Sequence, residues 1–334
     1  MKHLKGLLFL FAIVTFVIGI LFADLYSEYL KPVQQTEATH RFVYMAPNKE
    51  EKFWCNIAMG IKAADKESGS DTLLVQYDGN DNVPDYFRDA ILSDVEGIIV
   101  KGTDCMNEEI MEAVESGVPV VFYNSDFPES GRSCYIGVNN YETGTVAAEV
   151  LEKEMNGEGK ILAIVRSKAA FSQVERIKAL EDKIADYPGM EIVDFIEDNG
   201  NELELKEKLL CSLKQNPDLD AIICMEEVAS DSVGMLLKNF EEDYTELFIV
   251  TLDFTDKTVE YIKNGEYDVI VMQDLFQIGY LAVEQLNHYY ETKGETGVGQ
   301  MEEIIDLNNL CLTKDNIEEY VQKYETETLE WNSY

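Results

Sequence analysis

Positive charge is scarce in this sequence. Lys and Arg number 27 against 64 Asp and Glu, a net charge of −37. Such a balance excludes a nucleic-acid binder, which needs clustered cations for phosphate. It also excludes docking on anionic lipid headgroups, and leaves a solvated acidic surface as the plain reading. Histidine is almost absent, with only His3, His40 and His288, and the six cysteines contain no CxxC pair. Zinc-type clusters are therefore ruled out, and neither a metal nor a cofactor is expected. Cys55, Cys105, Cys134, Cys211, Cys224 and Cys311 are even in number but widely spaced. Several fall in apolar stretches, so most are read as small buried hydrophobes. Asp78-Gly-Asn-Asp-Asn resembles half of a calcium loop, but the completing Gly-x5-Glu is missing, which makes it a turn.

A long apolar run occurs once, at the N-terminus. Gly6 to Ala23 is 18 residues without a charge, preceded by Lys2 and Lys5 and followed by Asp24 and Glu28. That length sits at the lower edge of a membrane span, about 17–25 residues, and the charge asymmetry places the rest of the chain outside the cytoplasm. No cysteine closely follows the run, which removes the lipoprotein solution, and Phe22-Ala23-Asp24 is a poor cleavage site. Residues 1–23 are expected to be a retained anchor, with a cleaved signal as the alternative, and 24–40 a polar stalk containing Pro32.

Beyond residue 40 strand and helix signals alternate. Gly117 to Gly144 is the centre of the pattern: Val118-Pro-Val-Val-Phe-Tyr is an apolar strand ending in Asn124-Ser125-Asp126, and Cys134-Tyr-Ile-Gly-Val is a second, with a hairpin-like excursion between them. Asn139-Asn140 opens a helix over Tyr141–Asn156. Before this lie strands at Arg41–Ala46, Leu73–Tyr77 and Gly97–Val100, and helices at Trp54–Ser68, Val83–Ser93 and Asn107–Ser116. After it come strands at Lys160–Val165, Glu191–Phe195, Ala221–Met225, Leu247–Leu252 and Val269–Met272. The intervening helices are Ser172–Asp186, capped by Ser172, then Glu202–Asn216, Ala229–Asn239, Asp256–Asn264 and Gln277–Glu291. Glu302–Leu312 reads as a last crossing strand and Asn316–Glu327 as an acidic amphipathic helix. The fold class is α/β: two similar doubly wound parallel-sheet lobes joined by three crossing strands. The boundaries expected are 41–139 plus 274–305 for the N-terminal lobe, 140–273 plus 306–320 for the C-terminal lobe, and 321–334 for an acidic tail.

Six stretches in order carry a resemblance: Phe53-Trp54 with MGIKAADKESG, GIIVKGTDC ending near Asp104, GVPVVFYNSD with IGVNNYETG, Gln173-Val-Glu-Arg176, DAIICMEE from Asp220, and LDFTDKTVEYIKNGEYDVIVMQDLFQIGYLAVE. Over about residues 41–320 the chain resembles the type I periplasmic binding proteins, in the sugar-binding branch with ribose- and galactose-binding proteins and LacI-type effector domains. The resemblance implies a non-enzymatic, extracytoplasmic and monomeric binding protein for a monosaccharide or related solute. Its lobes would close by hinges near Asn139–Asn140, Gln273–Asp274 and Asp306, and the closed form would be read by an ABC permease or a sensor kinase. It implies ligand-binding roles for Phe53, Trp54, Asp104, Asn124, Arg176, Glu226, Asp253 and Gln273. Phe53 or Trp54 would supply the aromatic face for a sugar ring. Ser125 stands where ribose-type members carry an Arg, and Glu226 where Asn is usual, which implies a more acidic pocket and an amino-substituted or cationic solute. Two other classes are alternatives: a carboxylate hydrolase using Glu226, Glu227 and Asp253, and a repressor effector domain, disfavoured by the absence of a helix-turn-helix before residue 41.

Overall fold

The structure is a computed structural model that describes residues 39–47, 52–77, 83–102, 106–169, 171–240, 244–294 and 297–322. The expected anchor, most of the stalk, the Asp78–Asn82 turn, Asp104, Cys105 and nearly all of the acidic tail lie outside the described residues. Among the described residues no helix is long and apolar enough to cross a membrane.

Two six-stranded sheets form the fold. The first has the order β11-β5-β4-β3-β1-β2, with β1 Arg41–Pro47, β2 Asp71–Tyr77, β3 Gly97–Lys101, β4 Val120–Tyr123, β5 Cys134–Gly137 and β11 Ile304–Asp306. The second has the order β12-β10-β9-β8-β6-β7, with β6 Glu158–Val165, β7 Gly189–Glu197, β8 Ala221–Cys224, β9 Phe248–Thr251, β10 Val269–Gln273 and β12 Asn309–Leu312. The central strands β4 and β8 are buried at every residue. This is why they read as unbroken Val, Ile, Phe and Tyr rather than as an alternation: helices cover both faces of a parallel sheet. The edge strands β2 and β7 instead mix buried and exposed positions.

The helices are α1 Lys52–Ser68, α2 Val83–Leu92, α3 Asn107–Glu115, α4 Asn140–Met155, α5 Phe171–Ile184, α6 Glu202–Gln215, α7 Glu227–Lys238, α8 Asp256–Asn264 and α9 Leu275–Thr292. Three expectations change in detail. Helix α5 already begins at Phe171, so Ser172 lies inside it instead of capping it. Helix α7 starts two residues earlier than expected, because Glu226 caps it through Oε1, which accepts from Ala229 N at 2.5 Å. The expected strand Glu302–Leu312 splits in two, β11 in one sheet and β12 in the other, and β12 runs antiparallel to β10.

Strict alternation also breaks between β4 and β5. These strands lie side by side and parallel, joined without an α-helix, so the excursion between them is not a hairpin. A short 3-10 turn at Pro128–Ser130 and a buried fork hold it in place. Arg132 Nε and Nη2 donate to Asp126 Oδ1 and Oδ2 at 2.6 and 2.7 Å, and Nη1 donates to the Glu303 carbonyl at 3.1 Å. The planar guanidinium is suited to such a bidentate grip. The described cysteines divide: Cys134 and Cys224 are buried, whereas Cys55, Cys211 and Cys311 are exposed, so among the described residues the small-hydrophobe reading holds for the two that sit in strands β5 and β8.

The chain passes between the sheets three times: from β5 into α4, from β10 into α9, and from β11 into β12. The first two passages end in helix caps. Asn139 Oδ1 accepts from Tyr141 N and Glu142 N, and Asp274 Oδ1 accepts from Gln277 N at 3.1 Å. Helix α9 leaves the second sheet and packs along α1 of the first. There the two helices approach so closely that a Cβ on Gly279 would sit 1.9 Å from the Ile57 carbonyl oxygen, and one on Gly60 1.9 Å from that of Phe276.

Candidate ligand-binding site

Strand carboxyl ends of both sheets point into one cleft, the place where open α/β sheets bind ligands. Its main cavity is about 540 Å³. The first-sheet wall is built by Phe53 and Trp54 at the start of α1, Lys101 at the end of β3, and Asn124 and Ser125 after β4. The opposite wall is built by Arg166 after β6, Gln173 and Arg176 on α5, Met225 and Glu226 after β8, and Asp253 to Lys257 after β9. A recess of about 50 Å³ shares Phe53, Asn124, Arg176 and Asp253 and adds Gln273, Thr143 and Asn309 beneath the crossing segments. Of the expected site residues, seven are thus gathered around the cleft, and Asp104 lies outside the described residues.

The aromatic pair is half-buried. Phe53 and Trp54 meet edge to face, centroids 4.6 Å apart at 72°, and Trp54 packs against Tyr123 at 6.0 Å and 67°. Lys101 Nζ lies 5.9 Å from the Trp54 ring centroid. Both rings line the cavity, and aromatic rings there suit the C–H face of a sugar. Asn124 turns the chain sharply at φ 64°, a left-handed value that asparagine tolerates better than most residues. In that conformation its Oδ1 accepts from Gln273 Nε2 at 3.0 Å, so one hydrogen bond joins the two walls.

Arg176 reaches across the floor. Its Nε donates to Asn140 Oδ1 at 3.0 Å. Burial lowers its pKa, and the charge of Asp253 opposes that shift. Asp253 is pushed up to about 6 by burial, against the pull of Arg176 and of a hydrogen bond from Ser230. Ser230 Oγ lies 2.7 Å from the Glu226 carbonyl oxygen and 3.2 Å from Asp253 Oδ2, while receiving Thr251 Oγ1 at 2.6 Å. A hydroxyl carries one proton, so it serves one of those two acceptors at a time.

Glu226 is 5% exposed. Its Oε2 lies 3.2 Å from Arg166 Nη2, and the Arg166 side chain is itself half exposed. Burial first, and then the neighbouring carboxyl of Asp198, push Glu226 up to about 8. Asp198 is fully buried and accepts from Gly200 N through Oδ1 at 2.7 Å.

Buried polar atoms are normally hydrogen-bonded. Among the described residues, Gln173 Oε1, Gln273 Oε1 and Asn309 Nδ2 are buried without a hydrogen-bond partner and belong to residues that line the cleft, while others such as Asn107 Oδ1 and Ser212 Oγ lie away from it. Glu226 hydrogen-bonds to Asp198 beside it, carboxyl to carboxyl, so that pair is satisfied when Glu226 keeps its proton.

Several of these residues were not picked out from the sequence. Arg166 and Lys101 each close a buried strand, and that position is itself a signal that could have found them. They also bring cations that the reading of an acidic pocket, based on Ser125 and Glu226, had not counted. Gln173 lies in the same Gln173-Val-Glu-Arg176 stretch as Arg176, one helical turn before it. Thr143 and Asn309 meet at 3.0 Å only because two crossing segments run side by side, and no local pattern announces that.

Comparison with known proteins agrees with this architecture. The model of the periplasmic binding protein domain matches residues 42–295. The D-apiose import binding protein of Paraburkholderia graminis is 22% identical over 284 residues, covering 84% of this chain and 89% of that protein. An ABC transporter solute binding protein from Burkholderia graminis, solved in complex with D-arabinose, has 26% identity and a TM-score of 0.71, covering 84% of this chain and 96% of its own. AraP, an arabinose binding protein from Geobacillus stearothermophilus, shares the fold with a TM-score of 0.78 at 21% identity, covering 84% of this chain and 99% of its own. With two parallel-sheet lobes, a cleft at their strand ends and a family match over most of its length, the chain belongs to the type I periplasmic binding protein family, and it is a binding protein, not an enzyme.

Proposed function

We propose that this protein binds a monosaccharide or similar polyol outside the cytoplasmic membrane and presents the closed, loaded form to a membrane partner. One observation carries the reading: a cleft lined by hydrogen-bonding side chains, some with unused buried donors or acceptors, also holds two half-buried aromatic rings. A ring with an apolar face and a polar edge satisfies both at once. Phe53 or Trp54 stacks on the ring, and Asn124, Arg176, Glu226, Asp253 and Gln273 hold its hydroxyls. The lobes, 41–139 with 274–305 and 140–273 with 306–320, hinge at the three crossing segments. Closure replaces the Asn124–Gln273 contact by contacts through the ligand.

The partner is the permease of an ABC transporter. The relatives named for import and for ABC transport support this. A sensor kinase is the second reading, favoured by the uninterrupted apolar run Gly6–Ala23: a transport subunit needs only a tether, whereas a retained helix can also carry a signal. Titration calorimetry of the purified chain against a panel of pentoses and hexoses tests the core claim, with amino acids and dicarboxylates as controls. Heat from a control class alone, with none from any sugar, would remove it.

A further inference from the structure

Asn140 lines neither the main cavity nor the recess, yet it holds a side chain that lines both. It is the first residue of α4 and follows directly on Asn139, where the chain leaves the first crossing. Its Oδ1 accepts from Arg176 Nε at 3.0 Å. One turn further along the same face of α4, a Cβ on Gly144 would sit 2.4 Å from the Arg176 carbonyl oxygen and 3.0 Å from its Cα. Helix α4 therefore grips Arg176 twice, at the backbone through Gly144 and at the guanidinium through Asn140. Between the two, Thr143 Oγ1 lies 3.2 Å from the Asn139 carbonyl oxygen and 3.0 Å from Asn309 Oδ1. A single helical turn thus touches the first crossing, the third crossing and the guanidinium.

Arg176 has little else to fix it. Asp253 acts on it by charge, without a salt bridge among the described residues. Its Nη1 has a long contact to the Met225 carbonyl at 3.5 Å, and Nη2 donates to no atom among the described residues. An arginine side chain has many rotamers to lose, and a planar fork is useful only when its plane is set. The bond at Nε sets that plane and leaves the outer nitrogens for the cleft. We propose that Asn140 is the positioning residue for Arg176: its amide oxygen aims the guanidinium into the cleft and ties it to the helix that follows the first crossing. The proposal rests on the ligand-binding role given to Arg176 above.

The residue type fits the post. An amide oxygen accepts the Nε–H without cancelling the positive charge, so Arg176 keeps that charge for the ligand. The role is also separable from folding. Asn139, not Asn140, caps α4, and alanine is a better helix former than asparagine, so Asn140→Ala removes the acceptor and leaves the helix intact. Asn140→Asp restores an acceptor at the same place, where a carboxylate in the first turn of a helix is tolerated.

The test has two readouts on the full chain. The arginines are Arg41, Arg88, Arg132, Arg166 and Arg176, so arginine-selective isotope labelling gives a simple set of Nε–H signals, and Arg176→Lys identifies the relevant one. In the ligand-free protein that signal is expected to exchange with water about tenfold or more slowly than the signal of the exposed Arg88. Asn140→Ala should remove the protection, and Asn140→Asp should restore it. The second readout is titration calorimetry with D-arabinose, D-ribose, D-xylose, D-glucose and D-galactose. Affinity for whichever of these binds should fall about tenfold in Asn140→Ala, the scale of one misdirected charged donor, and return to within about threefold in Asn140→Asp. An Arg176 signal that is unprotected in the unmodified protein, or unchanged by Asn140→Ala, would overturn the proposal and leave the sugar reading intact. So would a sugar affinity that Asn140→Ala does not alter. If no sugar binds the unmodified protein, the sugar reading falls, and the Nε–H signal decides the positioning role by itself.

Discussion

Raising the pH should weaken the ligand-free fold, and Glu226→Gln should remove most of that sensitivity. The carboxyl of Glu226 is raised from 4.5 to about 8 in the folded chain, so between those values the native state keeps a proton that the unfolded chain has released. Its contribution is fully present below the unfolded value and is lost as pH climbs through the window. One such proton changes stability by about 1.4 kcal/mol per pH unit. Between about pH 6.5 and 8, where ordinary carboxylates have finished titrating, the ceiling is about 2 kcal/mol. Arg166 offsets part of the charge on Glu226, so about 1 kcal/mol is the reasonable expectation. For a chain of this size that corresponds to a melting temperature lower by about 1–2 °C at the upper pH. The assay is thermal unfolding followed by circular dichroism at fixed ionic strength, on protein refolded from denaturant to strip ligand. The histidines are common to both proteins and cancel in the comparison. Asp253, raised to about 6, adds a slope in the same direction at lower pH that should persist in the variant. A Glu226→Gln protein that lost as much stability as wild type over the upper window would refute the assignment of the proton to this corner.

Three further outcomes are expected. Gly279→Ala should cost about 1–3 kcal/mol in urea unfolding, because the new Cβ meets the Ile57 backbone carbonyl, which cannot swing aside, and α1 and α9 must separate. Arg132→Met should cost about 3 kcal/mol in the same assay by leaving Asp126 without its guanidinium partner. Asn124→Val should cost about 1–3 kcal/mol, since a β-branched residue resists a left-handed φ, whereas Asn124→Gly should melt within a degree or two of wild type while losing the bond to Gln273.

The fold was legible because its signals are local and repeated. Fully buried strands such as β4 and β8 announce themselves as apolar runs, and helices such as α9 by their length and period. Departures occur where a tertiary partner decides. The path from β4 to β5 depends on Arg132 reaching Asp126 and the distant Glu303 carbonyl, and the sequence around Pro128 resembles any polar turn. The break that turns one expected strand into β11 and β12 is set by which sheet each half joins. In the cleft, residues at strand ends were legible by position: Asn124, Glu226, Asp253 and Gln273. Arg166 occupies an equivalent position after β6, outside every motif. The partnership of Asp198 with Glu226 spans two strands and a helix, and no spacing in the chain encodes it.

The close seating of α9 on α1 has a consequence for biogenesis. Helix α9 and strand β11 belong to the first sheet's side of the molecule yet are specified after nearly all of the second. A chain emerging from a ribosome or an export channel therefore supplies every parallel strand of the second sheet before it can finish the first. The half that is made earliest stays open longest, with the glycine groove on α1 uncovered until its late-arriving cover is delivered. That exposed interval is where a holding chaperone would find its foothold.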